Sequence, residues 1–282
     1  DGFSLTILMM IAILIPTAYL LLWEGKTKGY WINMLLVQSG VTGTLFSLDI
    51  VLFYFFWEVM LLPVFLMIGS YGFGDKVFTT IKVTVYTMAG SLLMFVAILY
   101  LGVAHFNQFG EWSFAYDSLM QISTIPYDTK VWLFLAFLAA FAIKIPIFPL
   151  HTWIMETYKN APTGAVFLLS SIMAKLGVYA IVRFMIPIFP DIYVEFSTWF
   201  VAIGLFGLIY FGIAALMQDD IKRMFAYSSA SHLSFISAGI FSLNSYGING
   251  SLYLIIAHAI ATGALFLLVG LMQEQTGFKT IK

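Results

Sequence analysis

Lys144-Ile145-Pro146-Ile147-Phe148-Pro149 stands in the middle of an apolar run, 131–158, that is long enough to cross a lipid bilayer. A hydrocarbon core about 30 Å thick takes roughly 20 helical residues to cross. Two prolines three residues apart remove backbone donors and bar a continuous helix, so this run predicts two half-helices joined by an unwound segment. Irregular backbone at membrane depth is tolerated where protein buries it or where it lines a hydrated cavity. A lysine set directly before such a break is therefore the first candidate for function.

Outward from that break, further apolar runs lie at 3–23, 31–48, 50–69, 78–103, 162–187, 194–216, 222–242 and 248–272. Together with 131–158 they predict an all-α, polytopic transmembrane helix bundle of about nine spans, with one discontinuous helix, forming a single membrane domain over 1–282. Composition agrees: 61% of residues are of the AVILMFWYC set and 10% are charged, where a soluble domain carries about 25% charged. Mean hydropathy is +0.97. The net charge of −1 excludes a basic nucleic-acid footprint. With no cysteine, the chain cannot by itself build a disulfide, an iron–sulfur cluster or a thiolate zinc site. Gly69-Ser70-Tyr71-Gly72-Phe73-Gly74 has the wrong spacing for a nucleotide loop, and no span carries two histidines, so neither a cofactor-binding nor a metal site is expected. The chain starts at Asp1 without an initiator Met, as a processed or partial chain would.

Charge placement orients the bundle. If residue 1 lies on one side, the opposite side holds Lys26, Lys28, Lys76, Lys82, Lys159, Lys222, Arg223, Lys279 and Lys282, while Lys130 and Arg183 share the side of residue 1. Cytoplasmic loops carry the excess of Lys and Arg, so residue 1 and the long 104–130 connection are expected outside a bacterial inner membrane. The asymmetry holds only if the broken run crosses fully.

Five titratable residues sit near the centres of five spans: Glu58, Lys144, Lys175, His232 and His258. A charged side chain at the bilayer centre costs about 2.5–3.5 kcal/mol on insertion scales, so several together should face protein or water and have partners. The bland reading is a Glu58–Lys144 ion pair that pins two helices, but it leaves Lys175 without a carboxylate. For either histidine alone, a satisfied core position is the ordinary reading, and a bis-histidine haem between His232 and His258 is the remoter alternative. His151, seven residues after Lys144, is a further relay candidate. The hydroxyl-rich run Tyr227-Ser228-Ser229-Ala230-Ser231-His232-Leu233-Ser234 could support a water chain, although serines in membrane helices often bond back to their own carbonyls.

The sequence resembles the antiporter-like proton-channel subunits of respiratory complex I and the Mrp-type cation/proton antiporters. The resemblance runs through Phe55-Phe56-Trp57-Glu58-Val59-Met60-Leu61-Leu62-Pro63, Ala140-Phe141-Ala142-Ile143-Lys144-Ile145-Pro146 and Pro149-Leu150-His151-Thr152-Trp153. It continues in Ala161-Pro162-Thr163, Ala174-Lys175-Leu176-Gly177-Val178-Tyr179, Asp220-Ile221-Lys222-Arg223, Ala226-Tyr227-Ser228-Ser229 and Ser231-His232. In Ala257-His258-Ala259-Ile260-Ala261-Thr262-Gly263-Ala264-Leu265-Phe266 no lysine follows the histidine, which is similar to one subgroup of the respiratory members. Tyr158-Lys159-Asn160 departs from relatives that often carry a histidine and an acidic residue there.

The resemblance implies that Glu58 pairs with Lys144, that Lys175 is the central lysine of a proton relay, and that His232 and His258 continue it. It implies a subunit of a proton-pumping NADH–quinone oxidoreductase, with membrane-arm subunits, lipid and protons as partners. Flavin and iron–sulfur clusters would then reside in partner subunits, with no cofactor in this chain. It also implies about two helices before residue 1 and three after residue 282, with the terminal ionisable group of the relay among the latter. An Mrp-type antiporter subunit and a purely structural membrane subunit are the alternatives.

Overall fold

The computed structural model describes residues 1–277 and residue 280, so Lys279 and Lys282 of the charge count lie outside the described residues. Twelve helices follow one another: α1 Gly2–Leu21, α2 Lys28–Phe46, α3 Ile50–Val59, α4 Leu61–Tyr71, α5 Lys76–Phe109 and the short α6 Tyr116–Leu119. Then come α7 Tyr127–Lys144, α8 Thr152–Asn160, α9 Thr163–Ile188, α10 Pro190–Leu216, α11 Ile221–Ile240 and α12 Ser245–Thr276. Among the described residues there is no strand. Short polar residues between apolar runs set the helix starts: Asp49 accepts from Val51 and Leu52 N–H, Asp75 from Phe78, Asp220 from Arg223 and Asn244 from Gly247. Each satisfies donors that lipid could not.

Among the described residues, six segments are long and apolar enough to cross a membrane: α1, α3 with α4, α5, α9, α10 and α12. α2, the broken α7–α8 run and α11 are more polar or interrupted, yet they run between the same two ends. Ion pairs mark those ends. Arg183 meets Asp1 at 3.3 Å and Lys130 meets Asp191 at 4.0 Å at one end. Lys26 meets Glu274 at 2.8 Å, and Arg223 pairs with Glu156, at the other. At about 1.5 Å per residue, α1 and α10 hold these ends roughly 30–40 Å apart. The α7–α8 run goes from the Lys130 end to the Glu156 end, so it traverses the bundle despite its break.

The expected break is present, with α7 ending at Lys144 and α8 beginning at Thr152. A second break was not expected. The 50–69 run reads as one helix in the sequence, but α3 stops at Val59 and α4 starts at Leu61. Pro63 is the reason: it lacks an N–H and its ring crowds the carbonyl four residues earlier, that of Val59. Glu58 thus lies beside a one-residue interruption at Met60 in a span that stays helical from Ile50 to Tyr71, whereas Lys144 closes its helix before an unwound segment.

α9 occupies the middle of the bundle, and almost every one of its residues is buried. It widens into π turns at Leu168–Met173 and Ile181–Met185, on either side of Lys175. Gly177 lets α9 touch the break itself, because a Cβ there would meet Ile145 Cγ1 at 2.5 Å and the Phe141 carbonyl oxygen at 3.1 Å. Large apolar side chains such as Leu20, Val96, Ile209 and Leu268 cover the outside, facing where lipid would lie. Trp23 and Trp132 stand exposed near helix ends, as interfacial aromatics do.

Candidate functional site

Lys144 is 3% exposed, and its Nζ makes no hydrogen bond among the described residues. It lies 4.8 Å from the centroid of the Trp57 ring. Glu58 is half-buried at the end of α3; one carboxylate oxygen, Oε1, has no protein partner. The two residues are electrostatic neighbours, but no direct ion pair joins them. The carboxylate faces Ser91 of α5 instead.

Lys175 is 0% exposed. Its Nζ donates to the carbonyl of Ser170 and to Thr262 Oγ1 at 3.4 Å. An ordinary α-helix spends the Ser170 carbonyl on the amide four residues later. The π turn shifts that pattern by one residue, leaving a carbonyl aimed at the lysine five positions on. Thr262 in turn donates to the His258 carbonyl at 2.6 Å, so α9 and α12 are joined through the amine. Neither ring nitrogen of His258 has a protein partner, although the residue is buried. Its ring meets His232 edge to face at 5.4 Å, leaving no slot for a haem plane between them.

A cavity of about 200 Å³ runs beside this chain of groups, lined among others by Ser228, Ser229, His232, His258 and Thr262. Its wall is mostly apolar, with Phe225, Leu254, Leu265 and Phe266, and the two serines, two histidines and threonine are where water could bond. The serine run divides. Ser231 donates to the Leu208 carbonyl of α10 at 2.7 Å and is used in packing, whereas Ser229 keeps a buried hydroxyl without a protein partner.

His151 stands apart from the other five. It is 5% exposed and enclosed by the rings of Phe148, Tyr210 and Phe211, with Nδ1 unpartnered. The break turns it towards α10. Thr262 and the Ser170 carbonyl escaped the sequence reading. Thr262 could have been found, since it lies one turn after His258 on the same helix face. No sequence signal marks the carbonyl freed by a π turn. Among the described residues, no three of His, Asp and Glu converge as metal ligands.

Two buried amines, a half-buried carboxylate and a histidine pair, of which His258 is buried and His232 exposed, lie within the long apolar helices of the bundle and define a polytopic α-helical membrane protein with ionisable groups inside its spans. The chain belongs to the NADH:quinone oxidoreductase/Mrp antiporter transmembrane family, whose model matches residues 47–282. It is 33% identical over 283 residues to NADH-quinone oxidoreductase subunit M of Rhodobacter capsulatus, covering 98% of this chain and 55% of that protein. It is 35% identical over 286 residues to NADH-ubiquinone oxidoreductase chain 4 of Chondrus crispus, covering 100% of this chain and 57% of that protein. Among solved structures, a chain of respiratory complex I from Thermus thermophilus with bound NADH superposes with a TM-score of 0.91 at 31% identity, over 100% of this chain and 59% of that one. A chain of the Mrp complex from Dietzia sp. DQ12-45-1b shares the fold, with a TM-score of 0.81 at 20% identity over 97% of this chain and 51% of that one. The chain spans a little over half the length of the curated relatives it matches.

Proposed function

We propose that this chain is a proton-translocating membrane subunit of an NADH:quinone oxidoreductase, moving protons through Glu58, Lys144, Lys175, His232 and His258. Quinone reduction elsewhere in the complex drives the relay, and no electron passes through this chain. Flavin and iron–sulfur clusters belong to partner subunits. The 1–282 unit crosses a bacterial inner membrane about nine times, with residue 1 outside, and packs against other membrane-arm subunits.

One observation carries the reading. Lys175 is fully buried at the bundle centre, and among the described residues its amine bonds to a backbone carbonyl and a threonine hydroxyl and to no carboxylate. A lysine kept as a structural clamp would pair with a carboxylate, because an uncompensated buried charge is costly. An amine facing neutral acceptors, next to a histidine and a cavity with serine, threonine and histidine in its wall, suits a site that takes and gives up a proton. His151, walled in by aromatic rings, is a side branch at the break.

The test is Lys175→Ala in the assembled complex, reconstituted in sealed vesicles, with proton uptake measured per electron transferred. Pumping should be lost while the subunit still assembles. A wild-type ratio would leave only a structural role. Sodium-dependent exchange in vesicles without NADH and quinone would instead indicate Mrp-type antiport.

A further inference from the structure

We propose that Ser91 and Trp57 are positioning residues for the Glu58–Lys144 pair: Ser91 aims the carboxylate, and the Trp57 ring holds the ammonium while the charges are apart. This rests on the relay reading above and adds to it the groups that set the pair's open position.

Trp57 and Glu58 are consecutive on α3 and so project about 100° apart around it. Lys144, reaching in from α7, lies over the first of them, 4.8 Å from the indole centroid. The indole is 2% exposed and wedged against Phe53 at 5.4 Å and Phe141 at 5.6 Å, so the ring cannot follow the lysine. Trp is the best aromatic partner for a desolvated cation. To meet Glu58, Lys144 moves around one helix, between two adjacent side chains.

At the carboxylate, Ser91 of α5 is an electrostatic neighbour of both Glu58 and Tyr54, which lies one turn earlier on α3. Ser91 has one proton to give, and the Met88 carbonyl competes for it at 3.2 Å. Its place is set by Gly90, where a Cβ would meet Ile143 Cδ1 at 2.7 Å and Ala140 Cα at 3.1 Å. That close approach fixes Ser91 beside the last turn of α7. The carboxylate oxygen Oε1, buried and without a partner among the described residues, is left to receive the lysine.

The experiment uses the complete complex in sealed vesicles, with Ser91→Ala, Ser91→Thr, Trp57→Phe, Trp57→Leu and Glu58→Gln. Two readouts are taken: protons moved per electron, and the infrared carboxyl band assigned to Glu58 by its disappearance in Glu58→Gln. Ser91→Ala should shift that band and lower proton transfer by roughly tenfold, as for losing one hydrogen bond to a charged group. Ser91→Thr should restore both. Trp57→Leu should be more defective than Trp57→Phe, which keeps an aromatic face. A wild-type ratio and an unshifted band in Ser91→Ala, beside a defective Glu58→Gln, would overturn this proposal and leave the relay standing. Normal pumping by Glu58→Gln would overturn the relay itself. If Trp57→Leu fails to assemble, the two serine variants decide.

Discussion

Replacing Glu58 by glutamine keeps the shape of the side chain and removes its charge. In the structure Lys144 lies over Trp57, where a desolvated cation on an indole gains about 2 kcal/mol. Closing onto Glu58 at 4 Å would gain about 4 kcal/mol at an effective dielectric of 20. The carboxylate also attracts the amine from the ring position, so the two positions lie within roughly 2 kcal/mol of each other, or about thirtyfold. That is small enough for a modest helix movement to shift the balance. Without the carboxylate charge, only the ring attracts the amine, by about thirtyfold, and Lys144 no longer alternates. Glu58→Gln should thus assemble but pump poorly, with electron transfer slowed through coupling. Glu58→Asp should retain part of the activity, since the charge remains on a shorter reach. Lys144→Ala and the double variant Lys144→Ala/Glu58→Gln should be about equally defective, because both remove the same switch. The assay is the proton-to-electron ratio in sealed vesicles holding the whole complex. A wild-type ratio in Glu58→Gln would refute the reasoning.

Thr262→Val removes the hydroxyl that bridges Lys175 and the His258 carbonyl, and should slow proton transfer about tenfold while Thr262→Ser stays near wild type in the same assay. Gly177→Ala forces a methyl against Ile145 and the Phe141 carbonyl, and should lower subunit stability by about 1–3 kcal/mol, seen as a lower melting temperature of the purified complex. Glu156→Gln breaks a partly exposed ion pair with Arg223 and should cost no more than about 1 kcal/mol, leaving assembly intact by native gel. Ser113→Cys should react with an impermeant thiol reagent from the outside of oriented vesicles, in a chain with no native cysteine to compete. Labelling only from the cytoplasmic side would invert the topology.

The sequence by itself determined the class of protein and most of its elements. Apolar runs and a 10% charged content leave lipid as the solvent, and hydropathy reports that directly. Pro146 and Pro149 announce the break in α7–α8, because a missing donor acts locally. Depth along each span picked out Glu58, Lys144, Lys175, His232 and His258, because charge is costly wherever it sits in a bilayer. Pro63 carried the same local message for α3 and α4, and was legible though unread.

Tertiary structure decided how those groups meet. That Lys144 rests on Trp57 rather than on Glu58 depends on how α7 packs against α3, and centring within spans says nothing about rotation around them. The partner of Lys175 is a backbone carbonyl freed by a π turn in α9, and every residue has a carbonyl, so composition cannot single one out. His151 shares the sequence neighbourhood of Lys144, yet the break carries it into an aromatic enclosure against α10. Hydrophobicity and backbone chemistry act residue by residue and can be read in order along the chain. Contacts between helices depend on their rotation and on close approach at Gly90 and Gly177, and these exist only once the bundle is packed.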